Sequence, residues 1–319
     1  MKFFYTPALT CGVMVGSRLD VRLSCGQYRC RWPAEKRGER IMGTTHQVSG
    51  GGGTAISVYE CGNPDGQAIF LIHGFAQSCL SWKCQFDSAL ADEFRIVAMD
   101  LRGHGMSEKP QGLEHYSDGQ CWSDDVEAVI GQLKLEKPVL AGWSYGGFVV
   151  SDYIKRNSDG AIGAINFVGA AGTIGTDDAS RLIGPGIMDL VPGLMCEELA
   201  ENIAATRQFI LNCTIKPPSD EELEMTLAYN MMTPPRVRTW MFSREEHFGD
   251  ALTGVTVPTL VTHGTLDTVV YPDMAEIFLG AIPGAQKSFY DGIGHAPFIE
   301  DPERFNRELG ALARSVVTN

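Results

Sequence analysis

The sequence predicts an α/β protein built on a mostly parallel sheet with helices on both faces and one inserted helical cap. Three observations carry this. Short runs that are apolar at every position recur along the chain, segments with helical spacing separate them, and the alternation fails once, over residues 172–254. A continuous apolar run suits a strand buried on both faces, whereas a strand with one wet face alternates. Strands of the first kind joined by helices are parallel neighbours connected by right-handed crossovers.

Taken in order, residues 1–41 contain Pro7, Pro33 and the series Arg18, Arg22, Arg29, Arg31, Arg37 and Arg40. They show no period of 2 or 3.6 and are expected to be disordered or loosely docked. Met42 directly precedes the first strand-like segment, so one reading makes it the natural start and the head an upstream extension. From Ala55 the pattern becomes regular: Ile56 and Val58 alternate with polar neighbours, as in a half-buried hairpin strand. Apolar runs follow at 68–72, 95–99, 138–141, 164–168, 258–262 and 287–290, which makes six central strands the minimum. The clearest helix spans 117–133, where Trp122, Val126, Val129, Ile130 and Leu133 form one face. Across 172–254 no strand-like run is found, and Met188, Met195, Met225, Met231, Met232 and Met241 accompany Phe209, Trp240, Phe242 and Phe248. Most of these side chains must pack the cap onto the body, and a few would line an apolar pocket.

Bulk properties exclude several classes. With 44% hydrophobic and 20% charged residues, the 319-residue chain has a globular composition. No apolar run reaches the roughly 18 residues of a membrane span. The net charge is -13, but residues 1–41 carry +5, leaving -18 on the rest. Such an acidic body repels nucleic-acid phosphates. The nine cysteines are scattered, with no CxxC pair and no zinc-like spacing, and read as reduced thiols of a cytoplasmic protein. The start of the chain lacks the uninterrupted apolar stretch of a secretion signal, so secretion and organelle targeting are disfavoured.

The chemistry begins at Gly142-Trp143-Ser144-Tyr145-Gly146, which follows an apolar run and opens a helical segment. A serine on a strand-to-helix turn is held in a strained backbone with its hydroxyl exposed, and the flanking glycines remove side chains that would collide there. A hydroxyl is a weak nucleophile at its free pKa, so it needs a base, and the base needs a carboxylate. Asp267, on the loop after the run at 258–262, is the candidate acid, with Asp273 its nearest rival. His295, in the glycine-flanked loop after the last run, is the candidate base, whereas His46, His115 and His247 have no partner motif. The chain order Ser, Asp, His suits a strand-to-helix nucleophile turn. His73-Gly74-Phe75 can aim the Phe75 N–H at a developing oxyanion, and the Tyr145 N–H supplies a second donor. Trp143, Phe75 and Tyr145 flank the nucleophile. Trp143 and Phe75 are expected to line the substrate pocket with Met188, Met232 and Trp240 of the cap.

In this order, LIHGF (71–75), DLRGHGMS (100–107), GWSYGG (142–147) and GIGHAPFIEDP (292–302) resemble four motifs of the α/β-hydrolase superfamily. These are its oxyanion loop, the turn after its fourth strand, its nucleophile elbow and its histidine loop. The resemblance runs from Ala55 to about Val317. It is most similar to small capped esterases, lactonases and cofactor-free haloperoxidase-like hydrolases. It implies an α/β-hydrolase fold with a mostly parallel eight-stranded sheet, a core of 42–171 and 255–319, and a cap of 172–254. It implies neither cofactor nor metal, and it makes Asp100, Arg102 and His104 scaffold. Haloalkane dehalogenases and epoxide hydrolases need a carboxylate where Ser144 stands, and the HGF loop departs from the HGGP and HGGG loops of iminopeptidases and another esterase branch. The expected activity is cleavage of a small or medium carboxylic ester through an acyl-enzyme. Lactone opening, carbon-carbon bond hydrolysis, perhydrolysis and a non-catalytic ligand receptor stay open, as do the physiological substrate and oligomeric state.

Overall fold

The computed structural model describes residues 43–317. The expectations for residues 1–41 lie outside the described residues. The chain opens with the hairpin β1 (Thr44–Ser49) and β2 (Ala55–Gly62), followed by β3 (Ala68–Ile72), β4 (Arg95–Met99), β5 (Val139–Trp143) and β6 (Ala164–Val168). A pair of two-residue strands, β7 (Thr173–Ile174) and β8 (Glu246–His247), comes next, then β9 (Thr259–Gly264) and β10 (Gln286–Tyr290). Eight strands form one sheet in the order β1-β2-β4-β3-β5-β6-β9-β10. The first two pairings are antiparallel and the remainder parallel.

Every residue of β3, β5 and β6 is buried, as their mostly apolar sequences require, and the one polar side chain, Asn166 of β6, accepts from Thr262 at 2.9 Å. The two-residue period splits them between two cores. Phe70, Ile72, Leu140 and Phe167 face Trp122, Val149 and the apolar part of the insertion. Ile69, Leu71, Val139, Ala141 and Trp143 face Trp82, Phe298 and Phe305. Each such large side chain contributes about 1.5–3 kcal/mol on leaving water. The helix predicted over 117–133 runs from Gly119 to Gln132, because Asp118 caps it by accepting from the Gln120 N–H at 2.9 Å.

Six helices lie between β6 and β9: Ala179–Leu182, Pro185–Met188, Val191–Leu194, Leu199–Asn212, Asp220–Asn230 and Pro235–Phe242. The pair β7 and β8, which pairs Thr173 with His247, was not expected. Two-residue strands are too short to print a period on the sequence.

Two polar arrangements hold the loops that surround the sheet's carboxyl edge. Arg102 and Asp125 form a fully buried bidentate pair, both contacts at 2.7 Å. The guanidinium also donates to the carbonyls of Gly51, Cys121 and His115, and the Gly51 N–H donates to Asp125. His73 and His104 brace the turn after β3: Nε2 of His73 accepts from the Leu101 N–H at 3.0 Å and Nε2 of His104 from the Ala76 N–H at 3.1 Å. Their Nδ1 atoms lie 2.8 Å from Gly74 O and 2.9 Å from Arg102 O, so each ring is a neutral tautomer donating from Nδ1. Burial is the main cause that holds both imidazoles below their ordinary pKa.

Asp125→Ala strands the Arg102 guanidinium in the core and should cost about 3–5 kcal/mol, read as a lowered urea midpoint; an unchanged midpoint would refute this account of the pair. The two histidines predict acid lability. The unfolded chain protonates them near the ordinary value of 6.5 while the folded chain does not, so stability falls as pH drops through that value. Thermal scans at about pH 7.5 and about pH 5.5 should show a lower Tm in acid, with a smaller drop in His104→Gln; a Tm independent of pH contradicts it.

Candidate active site

Ser144 joins β5 to the Tyr145–Asn157 helix with φ 55° and ψ -117°. A residue with a Cβ holds such a conformation only under constraint. The constraint is visible: the Ser144 N–H donates to Val168 O at 3.0 Å, and its carbonyl accepts from Gly147 and Ala171. The helix also presses onto β3, where a Cβ on Gly146 would stand 2.3 Å from Ile72 O. Only glycine allows that approach. The turn after β3 also comes close, since a Cβ on Gly74 would stand 2.9 Å from the Ser144 Cβ.

Asp267 lies in the turn after β9 and is 2% exposed. One carboxylate oxygen accepts from the N–H groups of Val269 and Val270 at 2.8 and 2.9 Å. The other lies 2.7 Å from His295 Nδ1 and 3.1 Å from His263 Nε2. Burial alone would raise this carboxyl, but His295 and His263 outweigh it and hold the pKa well below the usual carboxylate range. An ionised Asp267 fixes the His295 tautomer with its proton on Nδ1. His295 Nε2 is then a lone-pair acceptor, buried and without a hydrogen-bond partner among the described residues. The end of β6 touches both halves: Val168 holds Ser144, and a Cβ on Gly169 would stand 3.2 Å from His295 Nδ1.

The backbone N–H groups of Phe75 and Tyr145 have no acceptor among the described residues. Tyr145 is the first residue of its helix, so its N–H carries the helix's positive end. Among the described residues, no group of three His, Cys, Asp or Glu side chains could hold a metal ion. A free imidazole nitrogen, a strained serine and two unengaged N–H groups together suit attack on a carbonyl.

The residues expected in the pocket do not form one set. Phe75 meets the insertion, its ring edge-on to Phe242 at 4.9 Å and to Phe209 at 6.1 Å. Trp143 corrects the expectation: it lies on the opposite sheet face, against Phe298, with its indole donating to His295 O at 2.9 Å. Strand alternation sends it there with Val139 and Ala141. It supports the histidine loop from below. The Tyr145 ring likewise turns inward, onto Trp122 and Phe148, leaving only its backbone at the site. Trp240 stacks on Tyr116 at 5.5 Å, while Met188 and Met232 are 43% and 39% exposed. Asp273, the rival carboxylate, is exposed on a short turn of 3₁₀-helix. His263 was not singled out by sequence; its only signal was a position four residues before Asp267 at a strand end.

A model of the alpha/beta hydrolase family matches residues 69–308. An esterase from Rhodococcus sp. ECU1013 superposes with a TM-score of 0.79 at 35% identity, covering 85% of this chain and 99% of that one. A putative aryl esterase from Burkholderia cenocepacia gives 0.78 at 28% identity, with 86% and 100% covered. A non-heme chloroperoxidase of Streptomyces lividans is 28% identical over 288 residues, 86% of this chain and all of that protein. With the elbow, the carboxylate-bound imidazole and the sheet order on one framework, this chain belongs to the α/β-hydrolase family.

Proposed function

We propose that this hydrolase cleaves small or medium carboxylic esters through an acyl-enzyme on Ser144. The observation that carries the reading is the 2.7 Å contact of Asp267 with His295 Nδ1, which leaves Nε2 free to take a proton. Ser144 Oγ attacks the ester carbonyl while His295 accepts its proton, and the Phe75 and Tyr145 N–H groups receive the oxyanion. His295 then returns the proton to the leaving alkoxide. Water, activated by the same nitrogen, releases the acid and restores the serine. Asp267 stays ionised throughout and offsets the imidazolium charge.

The esterases among the superposed structures support this substrate class, at 35% and 28% identity. The aromatic contacts of Phe75 with Phe209 and Phe242 make the cap side of the site apolar, which favours hydrocarbon acyl groups. The full-length similarity to a non-heme chloroperoxidase favours one second reading, in which peroxide replaces water as acyl acceptor and the product is a peracid.

Ser144→Ala should lower kcat on p-nitrophenyl butyrate by about 10⁴-fold or more and abolish labelling by a fluorophosphonate probe. A variant that keeps near-normal turnover sinks the assignment. The neighbours of Asp267 give a graded expectation. Asp267→Asn should cost about 10⁴-fold in kcat, because the amide favours the wrong imidazole tautomer. His263→Ala leaves the hydrogen bonds from Val269, Val270 and His295 in place and removes only the 3.1 Å contact of an Nε2 that also faces Val270 O at 2.9 Å, and should cost about tenfold. Steady-state kinetics on the two variants checks the order, and equal losses would show that His263 does more than hold Asp267.

A further inference from the structure

We infer that Glu300 is a positioning residue that joins the cap to the histidine loop, so that the seating of the cap sets the aim of His295. This rests on the reading of His295 as the base. One oxygen of the half-buried Glu300 carboxylate accepts from the Gly294 N–H at 2.8 Å, and Gly294 immediately precedes His295. The other accepts from the Ile215 N–H at 2.7 Å, with the Lys216 N–H at 3.4 Å. Ile215 and Lys216 follow the cap helix Leu199–Asn212. A single side chain thus spans two segments separated by |i−j| of 85 and 6 residues from it.

The contact is close on both sides. A Cβ on Gly294 would stand 3.1 Å from Glu300 Oε1, 3.3 Å from Cys213 O and 3.4 Å from Ile215 N. The histidine loop is therefore wedged directly under the chain that leaves the cap helix. The same helix carries Phe209, whose ring meets Phe75 of the oxyanion turn. One cap element accordingly touches both sides of the proposed chemistry. On the far side of the loop, Gly264 packs so tightly that a Cβ there would stand 2.0 Å from Gly294 O, and Trp143 holds His295 O. Those two contacts hold the loop from the sheet side, and the Glu300 bridge is a hydrogen-bonded contact through which the cap bears on the loop.

The chemistry requires a carboxylate. Two oxygens accept from two opposed N–H groups, whereas an amide offers one oxygen and turns a donor towards the second N–H. Glu300→Gln preserves shape yet loses one end of the bridge. Gly294→Ala pushes the two segments apart by a few tenths of an ångström with Glu300 intact.

The test compares wild type, Glu300→Gln and Gly294→Ala on p-nitrophenyl butyrate, with kcat expressed per serine labelled at completion by a fluorophosphonate probe. Misplacing a catalytic group by an ångström or less lowers rate without weakening substrate binding, so kcat should fall about 10–100-fold while KM stays within about twofold. A lowered Tm with kcat per labelled site within twofold of wild type makes Glu300 a structural tie only and overturns the inference. A change confined to KM overturns it as well. Should Glu300→Gln not fold, Gly294→Ala decides by the same readout. Ser144→Ala, run alongside, separates the two failures: its full activity would remove His295 as the base, whereas its inactivity with a normal Glu300→Gln removes only the joint.

Discussion

The Asp267 carboxylate is the interaction on which the site depends. An anion taken out of water costs several kcal/mol unless its lone pairs are met. Here the protein meets them with two backbone N–H groups on one oxygen and two imidazoles on the other. That arrangement needs the β9 turn, the histidine loop and the end of β6 to converge on the same sheet edge. Parallel strands deliver this geometry, because every connection leaves a parallel strand at the same edge. Hence the fold does more than carry the residues: it supplies the donors that keep the acid charged.

A second constraint runs through the backbone. Ser144 is held at positive φ, and Ala76, one residue past the oxyanion turn, has φ 57°. Each such residue stores strain of order 1–3 kcal/mol and persists only where neighbours overdetermine it. For Ser144 the neighbours are the carbonyl of Val168 and the N–H groups of Gly147 and Ala171. For Ala76 it is His104, whose ring accepts the Ala76 N–H while anchored on Arg102 O. Asp100 completes the bracing by accepting from Cys79 and Met106. Scaffold residues with chemical side chains are thus present because strained loops need polar partners that hydrophobic packing cannot provide.

What was legible in the sequence follows from where each signal resides. Strands β3, β4 and β6 were readable to the residue because burial on both faces writes a mostly apolar run, broken only by Arg95 at the start of β4 and Asn166 within β6. The helix Gly119–Gln132 was readable from its spacing, but its start was placed at about Ser117 because the Asp118 cap was not read. Ser144, Asp267 and His295 were nominated by local context, since each follows a strand end where a parallel sheet exposes its loops. Facing direction was not legible. Trp143 and Tyr145 flank the nucleophile in sequence, yet strand and helix geometry turn both rings into opposite cores. His263 and Glu300 were missed for the same reason: their partners lie on other segments, and nothing local marks a side chain whose role is to bridge. Short β7 and β8 left no period at all.

The insertion between β6 and β9 is seated by buried cations as well as by apolar contact. Arg238 is fully buried, donating to Leu194 O, Thr206 and Asn230 O with no carboxylate partner among the described residues, and burial pushes its pKa down to about 10. It ties its own helix, Pro235–Phe242, to three others, Val191–Leu194, Leu199–Asn212 and Asp220–Asn230. Arg244, just after the helix Pro235–Phe242, is buried against Asp152 at 2.8 Å and against the Tyr145 hydroxyl at 3.3 Å, both on the helix that follows Ser144. Such contacts are directional and strand a charge if broken, whereas Met and Phe contacts can slide. Buried Arg238 ties the insertion together and Arg244 ties it to the helix after Ser144, while at its other end Glu300 links the chain after Asn212 to Gly294. Under the proposed mechanism, the alignment of His295 would then depend on how this insertion is seated on the sheet.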